Sequence, residues 1–294
     1  MQINKKTYHS KVLLFGEYLI LEQAKALAVP FSEFSGTWKI LTDPENQNPY
    51  YEDFLRLIEF MNTQGMNEFM KLEEFEQAIS KGLCFDSTIK TGYGTGSSGA
   101  VVAGIYDQFL RKDKATKDFT TIRARLSAIE SFFHGNSSGL DPLVSYFGQA
   151  LLVDTDKTVR KVEFTKTELS YYLLDSGKSR STQPLVEIFK KKKQSVAFLE
   201  DVLKPLTIIS DNAIDQFLTN DTGLIDSILQ ISKLQFEGFQ EMILPAFKDI
   251  WKKGLDSNTF ALKLCGAGGG GFYLAIGDSA DIKNNFGGHA LKLF

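Results

Sequence analysis

The residues best suited to chemistry lie in the stretch Thr91-Gly92-Tyr93-Gly94-Thr95-Gly96-Ser97-Ser98-Gly99-Ala100, which holds four glycines and two adjacent serines. Glycine tolerates positive φ and lets a backbone come close to a ligand, so such a loop can aim several N–H groups at one point. Directly after it, Val101, Val102, Ile105, Tyr106 and Phe109 recur at three- and four-residue intervals, which predicts an amphipathic helix opening at the loop. Unpaired amides at the positive end of a helix dipole make an anion site. Phosphate is the expected ligand, and the serine hydroxyls there can cap the helix or ligate the magnesium that accompanies a nucleotide.

Residue types narrow the kind of phosphate loop. A P-loop ends in Gly-Lys-Ser or Gly-Lys-Thr, whose lysine neutralises the β and γ phosphates, and this loop does not. Gly94, Gly96 and Gly99 satisfy the dinucleotide spacing G-x-G-x-x-G, but that pattern also needs an acidic residue at a strand end about 20 residues later. The charged run Arg111-Lys112-Asp113-Lys114 follows instead, with no evident strand. A dinucleotide oxidoreductase is therefore a minor reading, and a glycine-rich turn without a ligand is the plain alternative.

The loop resembles the second motif of the GHMP kinases, the family named for galactokinase, homoserine kinase, mevalonate kinase and phosphomevalonate kinase, usually written Pro-x-Gly-x-Gly-Leu-Gly-Ser-Ser-Ala. Ser10-Lys11-Val12-Leu13-Leu14-Phe15-Gly16-Glu17-Tyr18, followed by Ala26-Leu27-Ala28-Val29-Pro30, resembles the first motif. Lys263-Leu264-Cys265-Gly266-Ala267-Gly268-Gly269-Gly270-Gly271 resembles the third. A fourth block, from Glu130 through His134-Gly135-Asn136 to Ser138-Gly139-Leu140-Asp141, resembles the pattern of the members that act on mevalonate. The motifs stand in the family's order and span most of the chain.

The resemblance implies an α+β fold of two domains, a ribosomal-protein-S5-like N-terminal domain over 1–167 and a ferredoxin-like C-terminal domain over 168–294, with the active site in the cleft between them. It implies an ATP- and Mg2+-dependent phosphotransferase acting on an alcohol, with the 5-hydroxyl of mevalonate as the preferred acceptor. Asp141 would accept or orient the hydroxyl proton, and Lys11 would stabilise negative charge on Asp141 and on the group in transfer. Ser98 and Glu130 would hold Mg2+. Gly92, Gly94, Thr95, Gly96, Ser97, Ser98, Gly99 and Ala100, with Gly268 and Gly269, would cradle the nucleotide. Glu17, Tyr18, Lys25, Arg180, Thr182, Gly266 and Ala267 are the substrate candidates. A phosphomevalonate kinase, or a noncatalytic nucleotide-binding member, is the alternative.

Singly, these residues have ordinary explanations. A lysine at a strand edge is usually a solvated charge that blocks aggregation; Asp141 could be a turn residue or the N-cap of a helix over 143–147; Glu130 could be a surface glutamate near the end of a helix over 120–133; Gly268 to Gly271 could be a linker. It is the conjunction of motifs that favours the site. The chain also departs from the family pattern: Lys90, Thr95 and Gly99 replace proline, leucine and alanine of the second motif, and His9-Ser10 replaces Pro-Gly before the lysine. Tyr18 replaces histidine, Pro142 a common asparagine, and Cys265 a threonine.

Composition and periodicity set the frame. The 294 residues suffice for two domains, 43% are hydrophobic, and the net charge of -3 offers no basic field for nucleic acid. Cys84 and Cys265 are far apart in sequence and predict reduced thiols. His9, His134 and His289 show no spacing that suggests zinc. No signal-like or membrane-length apolar run is present, so a cytoplasmic enzyme is expected, with a homodimer left open. Strands are predicted over 12–21, 37–42, 150–153, 159–164, 169–175, 260–264 and 272–276. Helices are predicted over 50–66, 97–110, 120–133 and 183–192, the last capped by Ser181-Thr182, with further helix to about 253.

Overall fold

The computed structural model describes residues 3–42, 50–135, 137–165 and 168–294. Asn136, the side chain of His134 and the expected domain boundary at residue 167 lie outside the described residues.

Strand β1 (Tyr8–Phe15) buries Val12, Leu14 and Phe15, and β2 (Ala26–Ile40) lies beside it in a five-stranded sheet. Helices α1 (Tyr51–Thr63) and α2 (Leu72–Ser80) lead to β3 (Leu83–Ser87), which pairs antiparallel with residues Gly36 to Ile40 of β2. Then come α3 (Ser97–Phe109), α4 (Phe119–His134) and α5 (Leu140–Phe147), which pack on one another. Strands β4 (Leu151–Val153) and β5 (Val159–Lys161) complete the sheet, β4 pairing with Ala26 to Ala28 of β2.

The second sheet is antiparallel in the order β7-β8-β6-β9. Its first strand in sequence is β6 (Ser170–Asp175), followed by α6 (Thr182–Lys192), α7 (Lys204–Thr219), α8 (Leu224–Gly238) and α9 (Pro245–Ser257). Strands β7 (Phe260–Leu264) and β8 (Phe272–Gly277) are buried at every position, as expected of strands covered on both faces. Helix α10 (Ser279–Phe286) and strand β9 (Ala290–Lys292) close the chain.

The chain divides into two compact units, and both are discontinuous. The first comprises Met1–Lys11, Pro30–Lys90 and Gly96–Gln149; the second comprises Val12–Val29, Thr91–Thr95 and Ala150–Phe294. An aromatic core holds the first, with Trp38 meeting Phe54, Phe75, Phe85 and Phe109 at ring distances of 5.0 to 6.4 Å. In the second, Phe217 of α7 gathers Phe15, Phe164, Tyr171 and Phe294.

Several expected elements are corrected. The first strand ends at Phe15, and residues Leu19–Glu22 form a short 3-10 turn, because Gly16 and Tyr18 both take positive φ. Strand β2 begins at Ala26, well before residue 37, and the strand expected over 159–164 stops at Lys161. Ser181 holds the N-cap position of α6 but its side chain makes no capping hydrogen bond. No described helix is long and apolar enough to cross a membrane.

Candidate active site

Within the first unit, the glycine loop ends where α3 begins. Gly96 is the N-cap, with φ +77° and no side chain to cap the helix, so the first amides of α3 open on the loop. A Cβ at Gly96 would lie 2.9 Å from Lys11 Cγ, so glycine is needed here for space as well as for φ. The serines are the first two residues of the helix and do not cap it; Ser98 Oγ instead donates to Glu130 Oε1 at 3.4 Å.

Strand β1 delivers Lys11 into this region. The residue is only 6% exposed, so it is not the solvated edge charge that its position at a strand end could suggest. Its Nζ lies 3.0 Å from Asp141 Oδ1. Asp141 sits in the first turn of α5, where the helix dipole favours a negative charge. The N-cap of that helix is Gly139, so the aspartate is left to face the lysine rather than to cap.

Glu130 stands near the end of α4, brought to Ser98 by the packing of α3 on α4. Burial, with the charge of Asp141 second, pushes its carboxyl up to about 7, against the opposing pull of the Ser137 hydrogen bond, the Lys11 charge and the Ser98 hydroxyl. Ser137 Oγ donates to Glu130 Oε2 in a short contact and also accepts from Gly139 N at 2.9 Å. Ser137 was not among the expected site residues, although it lies seven positions after Glu130 in the same block. The set holds two carboxylates, one ammonium and two hydroxyls. Its surplus of acid over base, in a buried place lined with hard oxygen donors, suits a divalent cation such as Mg2+. Among the described residues there is no group of three His, Cys, Asp or Glu side chains able to hold a metal, so the remaining ligands of such an ion would be phosphate oxygens and water.

Within the second unit, residues 91–95, Arg180 and the turn 266–271 pack together. Arg180 N donates to Gly92 O at 3.0 Å. Its Nη2 would lie 2.5 Å from a Cβ at Gly94 and 2.8 Å from one at Gly266, so both glycines make room for the guanidinium. Arg180 Nη1 donates to Thr182 Oγ1 at 2.7 Å. Gly271 N donates to Lys178 O and Gly269 N to Met242 O, each at 2.6 Å. The tripeptide Gly177-Lys178-Ser179 has Tyr172 where a P-loop has its first glycine, and α6 opens only at Thr182, so it forms no P-loop. Thr95 Oγ1 is buried without a hydrogen-bond partner among the described residues.

The other substrate candidates are engaged differently. Glu17 forms a fully buried ion pair with Lys263. Tyr18 OH donates to Ala267 O at 2.7 Å. Lys25 Nζ donates to both carboxylate oxygens of Asp215, at 2.7 and 2.8 Å. Cys84 and Cys265 are buried thiols, not joined by a disulfide.

No protein-family model matches the chain. Among curated proteins it is similar to the mevalonate kinase of Pyrococcus horikoshii, 25% identical with 91% of this chain and 86% of the relative covered. It is also similar to that of Dictyostelium discoideum, 22% identical with 90% and 85% covered. Among solved structures, L. major mevalonate kinase in complex with R-mevalonate superposes with a TM-score of 0.67 at 16% identity, covering 97% of this chain and 90% of that one. Streptococcus pneumoniae phosphomevalonate kinase gives 0.68 at 16% identity, with 100% and 99% covered; that enzyme is also known in complex with phosphomevalonate and AMPPNP.

Proposed function

From a chain with the two-domain GHMP kinase fold, whose relatives by sequence are mevalonate kinases, we propose an enzyme that transfers the γ-phosphoryl group of ATP to the 5-hydroxyl of mevalonate. It would serve isoprenoid precursor synthesis in the cytoplasm. The observation that carries the proposal is the Lys11–Asp141 pair, set beside Glu130 and Ser98 at the uncapped start of α3. Phosphoryl transfer asks a protein mainly for charge neutralisation and an oriented nucleophile. This cluster has the groups for both.

In the proposed reaction the acceptor oxygen attacks phosphorus, the bond from phosphorus to the β-phosphate oxygen breaks, and ADP leaves. Asp141 takes the hydroxyl proton. Lys11 holds Asp141 in place and offsets negative charge on the group in transfer. The first amides of α3, with the 92–95 loop before them, receive the phosphates. Ser98 and Glu130 are the residues that would hold Mg2+, which when bound neutralises phosphate charge. Ser137, by donating to Glu130, fixes the carboxylate orientation. Arg180 and Thr182 offer the cation and hydroxyl that suit the carboxylate of mevalonate. Gly268 and Gly269 would line the nucleotide.

The test is ADP release by purified protein with Mg-ATP and, in parallel, mevalonate, 5-phosphomevalonate, homoserine and galactose. Turnover on mevalonate alone is expected. Turnover on 5-phosphomevalonate instead would move the chain to the other enzyme whose fold it shares to the same degree, and nucleotide binding without turnover on any of the four would support a noncatalytic role.

A further inference from the structure

Glu17 and Tyr18 are consecutive, and each grips a different part of the same glycine-rich segment. Lys263, at the end of β7, donates through Nζ to Glu17 Oε1 and, at 2.9 Å, to Leu264 O. Both members of the pair are buried, 0% exposed for Lys263 and 3% for Glu17. The lysine also lies 5.7 Å from the Phe15 ring centre. Four residues further on, Ala267 O accepts from Tyr18 OH at 2.7 Å.

Tyr18 is not placed as a side chain awaiting a ligand. It is 7% exposed, and its ring lies against Phe189 at 4.6 Å and Phe239 at 5.4 Å. Its backbone takes φ +64°, which is costly for an aromatic residue and persists only where the surroundings hold it. Burial pushes the phenol well above its ordinary range, so the hydroxyl stays protonated and able to donate. Phe239 also opens the short turn whose Met242 carbonyl accepts from Gly269 N.

The segment so held needs holding. Gly266, Gly268, Gly269, Gly270 and Gly271 all have positive φ. A run of glycines is the least ordered kind of chain when free, and fixing it costs more conformational entropy than any other. The contacts with Lys263, Ala267, Gly269 and Gly271 are what define one conformation.

We propose that Tyr18, assisted by the Glu17–Lys263 pair, is a positioning residue that fixes the 265–271 turn, and that neither Glu17 nor Tyr18 contacts the acceptor alcohol. The inference rests on the kinase reading for its kinetic consequence, but not for its structural one. Replacing tyrosine by a side chain too short to reach Ala267 O releases the turn. Removing only the hydroxyl does the same while leaving the stacked ring in place.

The experiment compares Tyr18→Phe with the parent protein by amide hydrogen exchange and by steady-state kinetics with ATP and the alcohol that supports turnover. Exchange in the peptide spanning 265–271 is expected to quicken about tenfold or more, with α3 unchanged. The kcat is expected to fall about 10- to 100-fold, as small misplacements near a reacting centre do, with KM for the alcohol within about twofold. A raised KM for the alcohol with unchanged exchange would make Tyr18 a substrate contact and overturn the proposal, as would parent-like behaviour in both assays. Tyr18→His, which keeps a ring and a donor but loses reach, is expected to match Tyr18→Phe and serves if the latter does not fold. If the parent itself shows no turnover, the kinase reading fails while the exchange measurement still decides the brace.

Discussion

Gly99 packs directly against the Asp141–Pro142 peptide: a methyl group at residue 99 would lie 2.9 Å from both Asp141 C and Pro142 N. One of the departures from the second GHMP kinase motif and the departure at Pro142 in the fourth block therefore meet in space, and the small residue at one accommodates the backbone at the other. Gly99→Ala is expected to push the start of α5 away, lowering stability by about 1–3 kcal/mol as overpacking does and cutting turnover about tenfold or more through displacement of Asp141. A double-mutant cycle with Pro142→Asn, which frees the backbone to shift, is expected to show a coupling of at least about 0.5 kcal/mol. Strict additivity in chemical denaturation would mean the two residues do not press on each other.

Asp141→Asn keeps size and shape but removes the proton acceptor opposite Lys11. Turnover is expected to fall about 100- to 10,000-fold, with nucleotide affinity, measured by titration calorimetry, within a few fold. Undiminished turnover would take Asp141 out of the mechanism.

The Glu130 carboxyl gives the protein a pH-dependent stability whose sign follows from its raised pKa. The folded state keeps the proton up to about pH 7, whereas an ordinary glutamate loses it near 4.5, so the folded state binds more protons between those values. Stability contributed by this group is therefore full below about pH 4.5 and lost as pH rises through 7, a change on the order of 3 kcal/mol. Glu130→Gln lacks that slope. Thermal melts are expected to show the variant more stable than the parent at pH 8 and level with it near pH 4.5; parallel curves across the range would show that the carboxyl titrates normally.

Thr95 occupies the second-motif position where the GHMP kinase pattern commonly has leucine, and its buried hydroxyl lacks a partner among the described residues. Thr95→Val removes a desolvated polar group while keeping the shape, an exchange expected to stabilise the ligand-free protein by about 1 kcal/mol. For a chain of this size that is about 2 °C in melting temperature. A lower melting temperature would show that the hydroxyl is satisfied in solution.

The parts of the site that were legible in sequence are those where chemistry dictates residue type. Lys11, Ser98, Glu130 and Asp141 stand in recognisable blocks, and the structure brings them together through strand β1 and helices α3, α4 and α5. Ser137 was not legible because a serine in a turn carries no signal of its own; only its approach to Glu130 shows what it touches. Glu17 and Tyr18 stood in the right motif, but nothing local reveals that their partners are Lys263 and Ala267, some 246 and 249 residues away. Among the elements, α2 was not predicted, although Leu72, Phe75, Ala78 and Ile79 recur at helical spacing. The early half of β2 does not announce itself, since Pro30 and Gly36 interrupt a strand that tertiary pairing nonetheless sustains.

The interleaving of the two units has a consequence for synthesis on the ribosome. Residues 12–29 emerge early, yet they belong with a unit whose main body is residues 150–294. The first unit has all its segments by residue 149. Phe15, at the end of β1, must meanwhile wait for Phe217, about two hundred residues later, at about 5–20 residues per second. For about ten seconds or more of each round of production, the nascent chain therefore carries an apolar strand end that β2 can flank but whose aromatic partner is not yet made.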